Sequence, residues 1–328
     1  MSHRPLTAVR VLAVLLLAVV AAIGQTAKSA GKSWTLPRTA DGQPDLEGIW
    51  TSGTLTPLER PADLAGKPTL TEKEAAEYEK RALQQGNRDR RDGGADADLG
   101  RAYNEFWYDQ GKKVVGTRRT SLIVDPPDGL IPALTPEAQN RLEAAREYGR
   151  LHPFDGPEDR PLAERCLSWV TAGPPMLPSF YNNNYQIVQS PGYVAILSEM
   201  IHDVRIVPLD GRAHLGGSIR QWMGDSRGHW DGDTLVVDTT DFNGKAPFRG
   251  SDQKLHLVER FTRVDRDAML YEFTVDDPST FTKPWTAQVP MTKTEGPIYE
   301  YACQEGNYAL RGVLAGARAE EKRLVTDH

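Results

Sequence analysis

Tyr181–Thr240, YNNNYQIVQSPGYVAILSEMIHDVRIVPLDGRAHLGGSIRQWMGDSRGHWDGDTLVVDTT, decides the fold. Short runs rich in Val, Ile, Tyr and Trp are broken by Pro191-Gly192, Asp210-Gly211 and Asp231-Gly232, pairs that accept tight-turn geometry. That alternation predicts an antiparallel meander. Read as extended, Tyr193–Val207 puts Val194, Ile196, Ser198, Met200, His202, Val204 and Ile206 on one face. Tyr193, Leu197, Glu199, Asp203 and Arg205 take the other. His202 is then a lone titratable group on an apolar face. A hairpin turn within Glu199–Asp203 is the alternative; it changes the faces and brings Glu199 toward His202.

Downstream, Leu255–Asp276 reads as a hairpin whose register follows from matching faces. A three-residue loop, Asp265-Arg266-Asp267, sets Leu257, Glu259 and Phe261 opposite Val275, Phe273 and Tyr271. The same register puts Arg260 across from Glu272 and His256 across from Asp276. Glu259 is the anomaly, a carboxylate within an apolar stripe. Burying it unpaired is costly, so it calls for a partner: His202 first, an arginine next. Beyond this hairpin, Trp285, Ala287, Val289 and Met291 alternate inward, and Ile298–Cys303 is predicted as a closing strand.

Upstream, the first apolar cluster ends in Gly48-Ile49-Trp50, and this Gly-x-Trp resembles the start of the first strand in lipocalin-like barrels. The resemblance implies that Trp50 plugs one barrel end. Together with the strand count, it leads to a mainly β fold, an antiparallel lipocalin-like β-barrel over residues 185–313, with a β-sandwich as the alternative. Residues 25–184 are expected as an N-terminal extension and 314–328 as a charged C-terminal tail. Within the extension, Thr71 with Glu74 forms a capping box that starts a helix over Leu70–Gln85. Gly86–Gly100 is charged and Gly-rich, which predicts a mobile loop. Tyr103, Phe106, Trp107 and Tyr108 form an aromatic cluster assigned to the core. Thr135-Pro136-Glu137 starts a second helix ending near Gly149. His152–Asn184 is proline-rich and irregular, of a length that usually lines a functional surface, and is expected to wrap the barrel mouth.

At the N-terminus, Arg4 and Arg10 precede an apolar run from Val11 to Ile23, the pattern of a secretory signal peptide over residues 1–24. That run is short for a bilayer span, and no second one follows, so no stable membrane insertion is expected after cleavage. Removing its two arginines from 39 basic residues leaves 37 against 45 acidic side chains, a net charge near −8. No basic stripe marks a nucleic-acid surface. In an exported chain the isolated pair Cys166 and Cys303 is expected to be a disulfide. The pattern RCL, GPPMLP, YNNNYQIVQSPGYVAILSE, HDVRIVPLDGR and GDSRGHWDGDTLVVDTTDF resembles a group of functionally unassigned exported bacterial proteins. The resemblance implies bacterial export, to the periplasm or beyond, and no particular activity.

Two functions of different class follow from the residues. The first is binding of a small organic or sugar-like molecule in the barrel mouth. Tyr181, Asn182, Asn184, Tyr185, Trp222 and Tyr271 supply amides and aromatic faces, and Arg205 and Arg220 supply charge for a polar end. The second is acid–base catalysis of hydrolysis, elimination or isomerisation by Glu259, His202, Glu199 and Asp203. No H-E-x-x-H, P-loop or dinucleotide fingerprint is present, so no cofactor is expected. Glu199, His202 and His214 are the candidate metal ligands, at a spacing unsuited to coordination from strands, and no metal is expected.

Overall fold

The computed structural model describes residues 34–101, 104–169, 171–246 and 248–326. The expected signal peptide and Tyr103 lie outside them. Ten strands carry the fold: β1 (Gly48–Thr51), β2 (Ile123–Asp125), β3 (Asn184–Ser190), β4 (Tyr193–Ser198), β5 (Val204–Pro208), β6 (Asp225–Asp231), β7 (Thr234–Thr240), β8 (His256–Asp265), β9 (Ala268–Asp276) and β10 (Trp285–Thr294). They form one antiparallel sheet in the order β5-β4-β3-β1-β10-β9-β8-β7-β6, with β2 also paired to β10. The stretch expected as an extension therefore contributes two strands, and β1 bridges β3 to β10.

Alternation builds the core. In β9, and in β10 as far as Met291, every second side chain is buried, and Tyr271, Phe273, Val275, Trp285, Ala287 and Val289 are fully enclosed. Trp50 is likewise fully buried in β1. Its indole N–H donates to the Leu46 carbonyl at 2.9 Å, while Arg263 and Lys293 lie 5.5 and 5.7 Å from its ring centroid.

The β8–β9 pairing follows the expected register, with Glu259 opposite Phe273 and Arg260 opposite Glu272. The loop itself differs. Asp265 pairs with Ala268 across a tight turn at Arg266-Asp267, and a register shift between Arg263 and Asp265 restores the expected offset.

No ladder joins β5 to β6 among the described residues, so the sheet is not hydrogen-bonded into the expected closed barrel. Pro208, which lacks an N–H, ends β5, and side chains fill the approach to β6 instead. A Cβ on Gly228 of β6 would lie 2.7 Å from both Val207 Cγ1 and Leu209 Cδ2, so only glycine lets the two edges come this close.

Among the described residues four α-helices accompany the sheet. Helix α1 (Glu72–Gly86) has the capping box of Thr71 and Glu74, and α3 (Pro136–Leu151) is capped by Thr135. Helix α2 (Gly94–Arg101) replaces the expected mobile loop, its charges paired locally through Arg91–Asp98 at 3.0 Å and Arg101–Asp92 at 3.4 Å. The C-terminal stretch forms α4 (Tyr308–Thr326). Ile298–Cys303 is not a strand, because one edge of β10 is taken by β9 and the other by β1 and β2. Phe106 and Trp107, assigned to the core, are 84% and 62% exposed. Cys166 and Cys303 are bonded, with Cα atoms 5.8 Å apart. Among the described residues no helix is long and apolar enough to cross a membrane.

Candidate functional site

The floor of the site is set by a change of facing in the β4–β5 hairpin. Ser198 ends β4, the turn Glu199–Asp203 follows with Ile201 and His202 at positive φ, and the Ser198 N–H donates to the Asp203 carbonyl at 2.9 Å. The ladder pairs Ile196 with Arg205 and Val194 with Val207. Side chains paired across a ladder share a face, so Arg205 joins Val194 and Ile196 inside. Val204 and Ile206, on the apolar face in the extended reading, point out and are about half exposed.

Arg205 reaches across the interior from β5 to β8. Both its terminal nitrogens donate to the Glu259 carboxylate, Nη2 at 2.9 Å. Glu259 is fully buried and also accepts from the Tyr271 hydroxyl at 2.8 Å, and that hydroxyl accepts the Met176 N–H at 3.0 Å. Burial pulls the Arg205 guanidinium down, but the adjacent Glu259 outweighs it and holds the net pKa above the ordinary arginine value. Burial first, then the Glu259 charge, pushes the Tyr271 phenol far up, so it stays a donor. The carboxylate anomaly is thus resolved by an arginine. His202 is not its partner, because the turn lifts the imidazole out of the strand face to an exposed position.

Near this ion pair the chain leaves three spaces that share lining residues. A cleft of about 740 Å³ is lined by Ile201, Asp203, Arg205, Arg220, Trp222 and Met223 among others. A lobe of about 400 Å³ is lined mainly by apolar groups, among them Trp169, Pro174, Trp222, Met223, Phe248 and Leu255. Between them a crevice of about 20 Å³ is lined by Gly173, Met176, Ser198, Asp203, Arg205 and Met223. Met223 borders all three spaces, and the irregular segment after α3 supplies the wall of the lobe. Arg220 donates from Nη1 to the Phe242 and Gln253 carbonyls at 3.2 and 2.9 Å, so its charge meets no carboxylate among the described residues. Burial raises the pKa of Asp203, which has no side-chain partner among the described residues. A separate hollow of about 400 Å³ along α1 has its Lys67 and Glu74 bonded to each other.

A second polar cluster borders the cleft at Asp225. His214 lies between two carboxylates, Nδ1 at 3.0 Å from Asp225 and Nε2 at 3.0 Å from Asp238. Asp238 also meets His256 Nε2 at 2.7 Å, and Arg227 donates to Asp225 at 2.6 Å. The His256 contact holds Asp238 below the usual carboxylate range, and the same contact raises His256. Donor atoms of His214, Asp225 and Asp241 lie within 4.8 Å of one another, close enough to share a cation. The set Glu199, His202 and His214 is not brought together in this way. Glu199 is buried, accepting from Asn184 Nδ2 at 2.7 Å and from the Tyr299 N–H at 3.1 Å.

The chain matches no protein-family model and no curated protein.

Of the residues proposed to bind ligand, Arg205, Arg220 and Trp222 line the cleft. The others are engaged elsewhere. Tyr181 packs against the rings of Tyr108 and Trp169, at 6.3 and 6.5 Å. Asn182 occupies a left-handed turn, Asn184 holds Glu199, and the buried Tyr185 donates to the Thr171 carbonyl at 2.9 Å. Tyr271 is sealed beneath the ion pair. Sequence reasoning did not single out Met223, Trp169 or Ser198. Trp222-Met223 adjoins the selected Arg220, and that adjacency was the available signal.

Proposed function

We propose that this chain is an exported binding protein for a small amphipathic organic molecule. The ligand's apolar body lies in the lobe bounded by Trp169, Phe248 and Leu255, and its polar end faces Asp203 and Arg220 in the cleft. One observation carries the reading: two spaces of contrasting lining meet at Trp222 and Met223, so a single molecule crossing that boundary meets both environments. The Cys166–Cys303 bond supports an oxidising compartment, in keeping with export. The architecture that carries this role is one antiparallel sheet whose outer strands β5 and β6 approach closely at Gly228 without a ladder among the described residues. The acid–base alternative draws less support. The Glu259 and Glu199 oxygens are taken up by protein donors, which leaves Asp203 as the carboxylate of that set open to the cleft.

The uncharged probe N-phenyl-1-naphthylamine tests the proposal through its fluorescence gain in apolar surroundings. Saturable binding near one probe per chain is expected, weakened about tenfold or more by Trp222→Ala. Absence of saturable uptake, or full affinity in Trp222→Ala, would overturn it.

A further inference from the structure

We infer that His214, Asp225 and Asp241 form a binding site for a divalent transition-metal cation, zinc(II) by preference, at the border of the cleft. The site does not depend on the binding function proposed above. Its donor atoms lie within 4.8 Å of one another and come from three parts of the chain: the β5–β6 connection, the start of β6 and the residue just past β7. The β6–β7 ladder brings the two carboxylates together, because Asp225 pairs with Thr240, the neighbour of Asp241. Asp225 is only 4% exposed, which sets it apart from a solvated surface acid. Its Oδ1 accepts from Arg227 at 2.6 Å and its Oδ2 from the Leu215 N–H at 3.0 Å, contacts that fix the carboxylate and leave Oδ2 a further lone pair. That Oδ2 lies 3.0 Å from His214 Nδ1. Metal bonds of about 2.0–2.2 Å to nitrogen and oxygen put neighbouring ligand atoms on one ion about 3 Å apart, so this pair needs little movement to share one. The Asp241 carboxylate has no hydrogen-bond or ion-pair partner among the described residues.

The far side of the imidazole supplies the second observation. His214 Nε2 lies 3.0 Å from Asp238, which His256 engages in turn at 2.7 Å. A histidine that ligates a metal through one ring nitrogen ordinarily donates the other N–H to a carboxylate or a carbonyl, and Asp238 is that partner here. A neutral His214 has one N–H for two facing carboxylates. With that N–H directed to Asp238, the Nδ1 lone pair faces an Asp225 lone pair, and a cation between them replaces repulsion with two bonds. The imidazole also selects the metal, since calcium and magnesium take oxygen ligands whereas imidazole suits zinc and its neighbours in the first row. Three protein ligands leave a further position for water or for a donor atom of a molecule in the cleft, which Asp225 lines.

Isothermal titration of the untagged, chelator-treated protein with zinc chloride tests the site. One zinc per chain is expected, with a Kd in the micromolar range or below, and millimolar calcium should not displace it. Asp238→Ala, which removes the partner of Nε2, should weaken the site about 10- to 100-fold, and Asp241→Asn and His214→Ala should weaken it at least about tenfold. His202→Ala, which changes an exposed histidine outside the set, should leave the affinity unchanged. Asp241→Asn breaks no side-chain contact of the metal-free protein, so its melting temperature without zinc should match the parent's, and this variant decides the matter if His214→Ala fails to fold. Absence of stoichiometric uptake would overturn the inference, as would full affinity in Asp241→Asn, which would put the ion on other histidines. Displacement of zinc by millimolar calcium would overturn the choice of metal and with it the role of the imidazole.

Discussion

Arg205 and Glu259 are the pair whose chemistry the interior must accommodate. Desolvating two charges is expensive, and the cost is offset here by the two-pronged contact together with the Tyr271 hydrogen bond. Glu259→Gln leaves a buried guanidinium without its countercharge and is expected to cost about 3–5 kcal/mol in urea denaturation. Combining it with Arg205→Met should recover a substantial part of that loss, because the stranded charge is gone; strictly additive losses would show that the pair is uncoupled. Asp203 has the opposite character, a half-buried carboxyl with no countercharge among the described residues. Its raised folded-state pKa means that the folded chain keeps the proton longer than the unfolded chain. The associated stability is present below the ordinary carboxylate range and is lost as pH rises through the raised value. Asp203→Asn should therefore gain melting temperature relative to the parent as pH goes from about 3 to about 8; a pH-independent difference would refute this. A residue that costs stability while facing a cleft fits selection for binding rather than for folding.

Among the elements, two hairpins show how far periodicity carries. In β8–β9 both faces were legible, because Leu257, Phe261, Tyr271, Phe273 and Val275 demand one side and Arg260 and Glu272 the other. The irregularity at Val264 was not, because one extra residue near the strand end leaves the buried pattern before it unchanged. In β4–β5 the turn Glu199–Asp203 shifts the parity, so Arg205 exchanges places with Val204 and Ile206. Composition alone favours the apolar residues for the inside. The decision went to Arg205 because Glu259 waits across the interior, and that contact spans 54 residues of sequence.

In the whole molecule, the wall of the site is held by the Cys166–Cys303 bond, whose ends are 137 residues apart. On the chain-entropy account such a closure contributes about 5 kcal/mol, so reduction by dithiothreitol should lower the melting temperature markedly. Because Cys166 and Gln304 line the cleft, reduction should also weaken N-phenyl-1-naphthylamine binding at temperatures where the chain stays folded. An unchanged affinity in the folded, reduced protein would separate the bond from the site. The sequence by itself determined the mainly β character, the α1 and α3 starts, the β8–β9 register, the cysteine pair, and the need of Glu259 for a partner. Each depends on neighbouring residues, on an alternation of period two, or on there being one possible partner. Only the tertiary structure decided that β1 and β2 occupy the free edge of β10, that the sheet ends at β5 and β6 without a ladder, and that Arg205 answers Glu259. It alone also placed Trp222, Met223 and Ser198 around one space, because which segments meet across an interior depends on the packing of the whole chain.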